Sequence, residues 1–198
     1  GANTSVSTFD DYVILSSWLD NHVKIMRPDT GEILESLDGL NIPVSATKYG
    51  DRIAVALQGN KSITLFNVQN GEGEILSDGF MAPTHVINYE GDLLVSDRSK
   101  GQIIRVNGEG AQEVIVDGLD SPEGIAIKDN SIYIFEGNTG QIKQFTEGQI
   151  KVIAEVMPGS PVQSELQPPS MVFNGLAIKD NYLYISGELE RSLFRLAL

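Results

Sequence analysis

One short segment of the chain combines an aromatic ring, a carboxylate, an amide and an imidazole. It contains Trp18, Asp20, Asn21 and His22. An aromatic surface beside polar groups is suited to recognising a sugar or a lactone, so these four residues are candidates for substrate binding. The structural alternative is that Trp18 packs between sheets and His22 simply begins a strand.

The other histidine, His85, is a candidate catalytic residue. It follows Thr84 in a strand-like segment, where a neutral imidazole could act as a base or a ligand. A hydrogen-bonded structural histidine is the alternative. The chain has 2 histidines and no cysteine, which excludes thiolate zinc sites, cysteine nucleophiles and histidine-rich metal centres. It also lacks a nucleophile elbow, a P-loop and a dinucleotide fingerprint.

The charge balance limits the classes of partner. The 198 residues include 14 Lys and Arg against 27 Asp and Glu, a net charge of −13. Such a chain repels phosphate backbones, which excludes nucleic acid and anionic membrane surfaces as partners. No apolar run has the roughly 18 residues of a membrane span. A small-molecule ligand or a protein partner remains, and a secreted or periplasmic location is expected, with the cytoplasm left open.

An internal repeat of about 40 residues organises the chain. Asp-Gly pairs at Asp38, Asp78 and Asp117 recur at spacings of 40 and 39 residues. They precede prolines at Pro43, Pro83 and Pro122. The repeating units are predicted at about 3–41, 42–81, 82–120, 121–167 and 168–198 of one domain spanning 1–198, with an insertion at 157–170 that contains four prolines. This insertion is a candidate lid or partner-binding loop, or else a passive surface excursion.

Each unit has the composition of four short strands. β-Branched and aromatic residues occur in runs of four to seven, bounded by Gly, Asn and Asp, as in Ser131 to Phe135 and Gln141 to Phe145. Four strands per unit of about 40 residues are typical of an all-β β-propeller. The pattern predicts 19 strands in five blades, of which the last is incomplete. We therefore expect the chain to be part of a six-bladed propeller, with a closed five-bladed ring as the alternative.

Two late segments carry a family resemblance. Pro122-Glu123-Gly124-Ile125-Ala126-Ile127 and Phe173-Asn174-Gly175-Leu176-Ala177-Ile178 each lead through Lys-Asp-Asn into a Tyr-containing strand. They resemble innermost strands of the six-bladed family that includes regucalcin (senescence marker protein), gluconolactonases and luciferin-regenerating enzyme, with kinship to NHL-repeat propellers.

The resemblance implies a divalent cation, usually calcium, held by oxygen ligands at the starts of innermost strands. The matching positions of this chain are Thr4, Val44, Thr84, Glu123 and Asn174. Of these, Glu123 and Asn174 are the good ligands, and turn chemistry is the alternative explanation for both. Loop residues of later units are predicted to form an acidic rim: Asp97, Arg98, Glu136, Glu188 and Glu190.

The leading functional hypothesis is a metal-dependent hydrolase of the lactonase type. In it, a cation held by Glu123 and Asn174 polarises a lactone carbonyl and helps to activate water, with Glu123 and His85 as the catalytic residues. The alternative is a non-catalytic propeller that binds a small ligand or a protein through its loop face.

Overall fold

A computed structural model describes residues 5–156, 175–187 and 192–198. All regular structure within these residues is β, in five antiparallel sheets whose strands follow one another in chain order. Four sheets have four strands and the fifth has three. The chain is a β-propeller, and the 19 strands predicted from the repeat match the 19 strands of the described residues. No helix that could cross a membrane occurs in the described part of the chain.

The sheets are numbered as blades 1 to 5 in chain order. Blade 1 has β1 (Ser5–Phe9), β2 (Tyr12–Ser17), β3 (His22–Met26) and β4 (Ile33–Asp38). Blade 2 has β5 (Pro43–Tyr49), β6 (Arg52–Leu57), β7 (Ser62–Phe66) and β8 (Gly73–Ser77). Blade 3 has β9 (Pro83–Tyr89), β10 (Asp92–Asp97), β11 (Gln102–Val106) and β12 (Gln112–Val116). Blade 4 has β13 (Pro122–Lys128), β14 (Ser131–Glu136), β15 (Gln141–Thr146) and β16 (Gln149–Glu155). Blade 5 has β17 (Leu176–Lys179), β18 (Tyr182–Gly187) and β19 (Ser192–Ala197).

Two-residue turns join the first and second strands of each blade. In blade 4 the turn consists of Asp129 and Asn130, which both have positive φ (48° and 59°). Paired positive φ values give a turn whose twist matches that of the flanking strands, and Asp and Asn tolerate them best after glycine. The turn fixes the register that places Lys128 opposite Ser131.

The core lies between neighbouring blades rather than inside any one of them. Ile53, Val55 and Leu57 of β6 pack against blade 1, whereas Ala54 and Ala56 of the same strand pack against blade 3. Similar buried clusters join blade 3 to blade 4 and blade 4 to blade 5. A second strand is thus covered on both faces, which explains its unbroken apolar run, and each blade depends on its neighbours for a core.

The two sheet faces at the ends of this series are more exposed. Val6, on the face of β1 turned away from blade 2, is 60% exposed, and Leu193 of β19 is 69% exposed. None of the buried clusters among the described residues joins blade 5 to blade 1. A cavity therefore extends from the central channel towards both of these faces.

Candidate functional site

A partly open cavity of about 270 Å³ lies along the innermost strands and is bordered also by the second and third strands of blade 5. Its wall is largely apolar and includes a few polar groups, which is the usual composition of a small-molecule site. The lining residues come from all five blades: Ser5, Val6, Val44, Thr84, His85, Glu123, Gly124, Gly175, Leu176, Ala177, Tyr184, Ser186 and Leu193. The structure thus brings together His85 and Glu123, the two catalytic candidates.

His85 is held between two blades by its own ring. The backbone N–H of Ile125 in β13 donates a hydrogen bond of 2.9 Å to Nδ1 of His85 in β9. Burial lowers the pKa of His85 to about 4, because the charged form loses its hydration. The imidazole is therefore neutral at pH 7, and since Nδ1 is the acceptor, Nε2 carries the proton. The cavity wall thus contains a neutral N–H donor.

Glu123 is a buried carboxylate balanced by a cation. Its side chain is 2% exposed, and Oε1 lies 3.4 Å from Nε of Arg98, whose side chain is 13% exposed. Gly137 makes room for it, because a Cβ added at Gly137 would overlap Oε1 of Glu123. Two loops therefore position this carboxylate. The loop after β10 contributes Arg98, and the loop after β14 contributes Gly137, whose lack of a side chain leaves room for Glu123.

The described residues do not fit the calcium site that the family resemblance implies. A calcium ion takes 6–8 oxygen ligands and strongly favours carboxylates. No group of three or more His, Asp or Glu side chains within metal-binding reach occurs in the ranges that the structure describes. Of the matching inner-strand positions, Val44 has no ligand atom, and Thr84 Oγ1 donates to the backbone oxygens of Ser96 and Pro122. Glu123 is already paired with Arg98, and Thr4 and Asn174 lie outside the described residues.

The segment around Trp18 lies apart from this cavity. Trp18 is partly buried against the core between blades 2 and 3, and His22 begins β3. Asp20 closes the turn, since Ser17 Oγ donates to Asp20 Oδ2 (3.0 Å) and the Asp20 N–H donates back to Ser17 Oγ (3.2 Å). Asn21 occupies a left-handed backbone position with φ of 54°. These placements match the structural alternative, and substrate binding by this segment stays a prediction.

The prediction of an exposed acidic rim is wrong for Asp97 and Glu136, which are both 0% exposed. Asp97 accepts hydrogen bonds from the N–H groups of Met81 (2.7 Å), Ala82 (3.0 Å) and Lys100 (3.2 Å). These bonds attach the chain entering β9 to the end of β10.

Glu136 plays the matching part in blade 4. It accepts hydrogen bonds from the N–H of Asp120 (2.8 Å), from Thr139 Oγ1 (3.0 Å) and from Lys143 Nζ (2.6 Å). Both carboxylates sit at the end of a second strand, where orphaned backbone donors require an acceptor. Glu188 and Glu190 lie outside the described residues, as does the insertion at 157–170.

Two parts of the site carry no clear signal in the sequence: the Arg98 partner of Glu123 and the ring of Tyr184. A signal for the role of His85 was present. Ser5, Ser45 and His85 recur at spacings of 40 residues, and Gly124 follows 39 residues later. Their shared place in the repeat indicates that the side chains at this position have a common structural task.

Comparison with known proteins supports the fold. No protein-family model matches the chain, and no curated protein matches it in sequence. Solved structures do match. A structural-genomics protein of unknown function from Bacteroides thetaiotaomicron superposes with a TM-score of 0.74 at 13% identity, over 94% of this chain and 56% of that one. The computationally designed Ika8 protein superposes with a TM-score of 0.60 at 15% identity, over 98% of this chain and 58% of that one.

An enzyme is among the similar structures. Virginiamycin B lyase from Staphylococcus aureus superposes with a TM-score of 0.65 at 15% identity, over 99% of this chain and 70% of the lyase. At these identities the likeness shows the propeller fold alone. The chain spans 56% and 58% of the Bacteroides and designed proteins. Membership of the regucalcin and gluconolactonase family stays a hypothesis that rests on the inner-strand motifs.

Proposed function

We propose that this protein binds a small, uncharged and mostly apolar molecule in the cavity between its innermost strands. The observation that carries the proposal is the state of His85. Its Nδ1 is occupied by the Ile125 N–H, so the ring contributes an N–H donor to an otherwise largely apolar cavity. A few placed polar groups in an apolar cavity orient a ligand, while apolar burial supplies most of the affinity.

The electrostatics of the cavity favour an uncharged ligand. Arg98 offsets the charge of Glu123 at 3.4 Å, and the whole chain has a net charge of −13, which disfavours anions. A volume of about 270 Å³ lies just below the roughly 300 Å³ at which sites for drug-sized ligands begin. A single ring with short substituents is the size of ligand that this volume accommodates.

The proposal can be tested by NMR titration with small neutral rings. Cyclohexanone and tetrahydropyran are added to the ¹⁵N-labelled 198-residue chain, and the amide shifts of the cavity residues are followed. We expect saturable shifts at Leu176 and Ala177, which line the cavity, and at Ile125, whose N–H is bonded to His85.

A matched pair of variants tests the location. Ala177 and Ala197 are both exposed and lie on the same face of blade 5, since Ala177 pairs with Tyr184 and Ala197 with Tyr182. Only Ala177 lines the cavity. Ala177→Phe should abolish the shifts by filling the cavity, whereas Ala197→Phe should preserve them. Equal effects of the two substitutions would argue against binding in the cavity.

A lactonase-type hydrolase is the second candidate, because Glu123 and His85 line one cavity. The geometry supports this activity less well than binding. A general base at His85 needs a lone pair facing the substrate, but the lone pair of Nδ1 is used by the Ile125 N–H. If the protein is such a hydrolase, it should bind calcium, and Glu123→Gln should weaken that binding. It should also hydrolyse ε-caprolactone only when the ion is present. Calorimetry and a pH-stat assay measure these two properties.

A further inference from the structure

Side chains at one position of the inner strands connect blade 2 to blade 3 and blade 3 to blade 4. Ser45 Oγ in blade 2 accepts a hydrogen bond of 3.2 Å from the Val86 N–H in blade 3. His85 Nδ1 in blade 3 accepts one of 2.9 Å from the Ile125 N–H in blade 4. These N–H groups belong to the free edge of an innermost strand, which has no further strand to pair with. An acceptor from the preceding blade therefore satisfies them.

The series stops at Gly124. This glycine occupies the place of Ser45 and His85 in the repeat of blade 4, and it has no side chain to offer an acceptor to blade 5. The residue of blade 5 that corresponds to Val86 and Ile125 is Leu176. The connection that holds blades 2, 3 and 4 together at their inner edges thus has no counterpart between Gly124 and Leu176.

The pairing of β17 with β18 determines where the Leu176 N–H points. Gly175 O accepts a hydrogen bond of 3.1 Å from the Ser186 N–H, so these two residues form a hydrogen-bonded pair. Leu176 is opposite Ile185, the next pair along. Hydrogen-bonded and non-hydrogen-bonded pairs alternate in an antiparallel ladder, so the Leu176 N–H points away from β18. Like the Val86 and Ile125 N–H groups at the same place in the repeat, it belongs to the free inner edge of its strand, and Gly124 and Leu176 both line the cavity.

We propose that the backbone N–H of Leu176 and the Nε2–H of His85 form a two-donor site that binds an uncharged carbonyl oxygen across the gap left by Gly124. This inference rests on the proposed ligand-binding function and deepens it by naming the group that the site recognises. His85 and Leu176 both line the same cavity, and His85 is fixed through Nδ1. Preorganised donors of this kind bind a carbonyl oxygen without reorganising.

The site favours a ketone, an ester or an amide over a carboxylate. Its two donors are both uncharged, and the cation beside the cavity, Arg98, already faces Glu123. A carboxylate would have to give up its hydration without meeting an uncompensated positive charge, which is costly in an apolar cavity. A carbonyl oxygen accepts two hydrogen bonds and carries no net charge, so it matches the two donors.

The experiment uses two molecules of the same shape. Cyclohexanone and methylenecyclohexane differ only in the oxygen and the CH₂ group that replaces it. We titrate each into the ¹⁵N-labelled chain. Two net hydrogen bonds predict that cyclohexanone binds about tenfold more tightly or better, with a downfield shift of the Leu176 amide proton that methylenecyclohexane does not cause. Cyclohexanecarboxylate should bind more weakly than cyclohexanone.

Three variants assign the preference to the two donors. Gly124→Ser supplies an acceptor for the Leu176 N–H, as Ser45 does for Val86, and should reduce the preference for cyclohexanone from about tenfold to about threefold. Gly124→Ala adds a methyl group without an acceptor and should keep the preference. His85→Asn keeps an acceptor for the Ile125 N–H but loses the Nε2–H, and should reduce the preference even if both Gly124 variants fold poorly.

The outcomes separate this inference from the function on which it rests. Equal affinity for the two isosteres, with cavity resonances shifting but the Leu176 amide unchanged, overturns the two-donor site and leaves ligand binding intact. Tighter binding of cyclohexanecarboxylate overturns the preference for an uncharged oxygen. No shift of any cavity resonance with any of these molecules overturns the proposed function itself.

Discussion

Replacing His85 by Asn should flatten the acid side of the stability profile. The asparagine Oδ1 can accept the Ile125 N–H as Nδ1 does, but an amide does not titrate. Burial lowers the pKa of His85 from 6.5 to about 4, so the unfolded chain binds the proton more tightly than the folded one. Stability contributed by the neutral ring is complete above pH 6.5 and is lost as the pH falls towards 4.

The size of the effect follows from the same pKa difference. A tenfold difference in proton affinity between the folded and unfolded chains corresponds to about 1.4 kcal/mol, and at pH 4 the folded histidine is itself half protonated. The wild-type chain should therefore lose about 3 kcal/mol more than the His85→Asn variant between pH 7 and pH 4. Carboxylates also titrate over part of this interval, but they do so in both proteins. The difference between the two profiles isolates the imidazole.

Urea unfolding at pH 7, 5.5 and 4 provides the measurement. The single Trp18 packs against the core between blades 2 and 3, so its fluorescence reports the loss of packing. Parallel profiles for the two proteins would refute the argument, since they would mean that His85 titrates alike in the folded and unfolded chains. A ¹⁵N spectrum of the imidazole at pH 7 gives an independent check, because it should show that Nε2 is protonated and Nδ1 is not.

Three further substitutions probe the supports of the site. Gly137→Ala should destabilise the protein by about 1–3 kcal/mol, because the new Cβ overlaps the buried carboxylate of Glu123; a neutral result in urea unfolding would show that the carboxylate moves freely. Asp97→Ala should cost about 3 kcal/mol or more, because three backbone N–H groups lose the buried carboxylate that accepts their hydrogen bonds, and a thermal unfolding scan should show the loss. Ser45→Ala should cost about 1–2 kcal/mol through the Val86 N–H while leaving the cyclohexanone titration unchanged, and weaker binding would contradict the assignment of the site.

The sequence predicted the fold well because the repeat and the strand chemistry agree. In blade 4 the predicted strand Ser131 to Phe135 is observed as Ser131–Glu136, and Gln141 to Phe145 as Gln141–Thr146. A strand is apolar on one face or on both faces, depending on whether one or two neighbouring blades cover it. The pattern of apolar residues along the sequence therefore gives the positions of the strands. The turns add precise boundaries, since positive φ restricts which residues can occupy them.

The site was harder to predict because its key contacts cross from one blade to another. Arg98 and Glu123 belong to blades 3 and 4, and no local pattern indicates that they meet. Asp97 and Glu136 look like solvated loop residues in the sequence. Their burial is explained by donors that the sequence does not reveal, namely backbone N–H groups for Asp97 and, for Glu136, a backbone N–H, Thr139 and Lys143. His85 could be placed on an inner strand, but its tautomer depends on an N–H that lies 40 residues further along the chain.

The strands of every sheet follow one another in chain order, and this order affects both the folding of the chain and its mechanical unfolding. Most paired strands are joined by short connections, so each sheet of this protein forms from contacts that are close in sequence. Such local contacts favour rapid, stepwise folding. Pulling on the two ends should extract one blade at a time. About 40 residues at roughly 3.5 Å each would give regular extensions of about 14 nm. The blades held by Ser45 and His85 should resist longest, and blade 5, next to Gly124, should detach first.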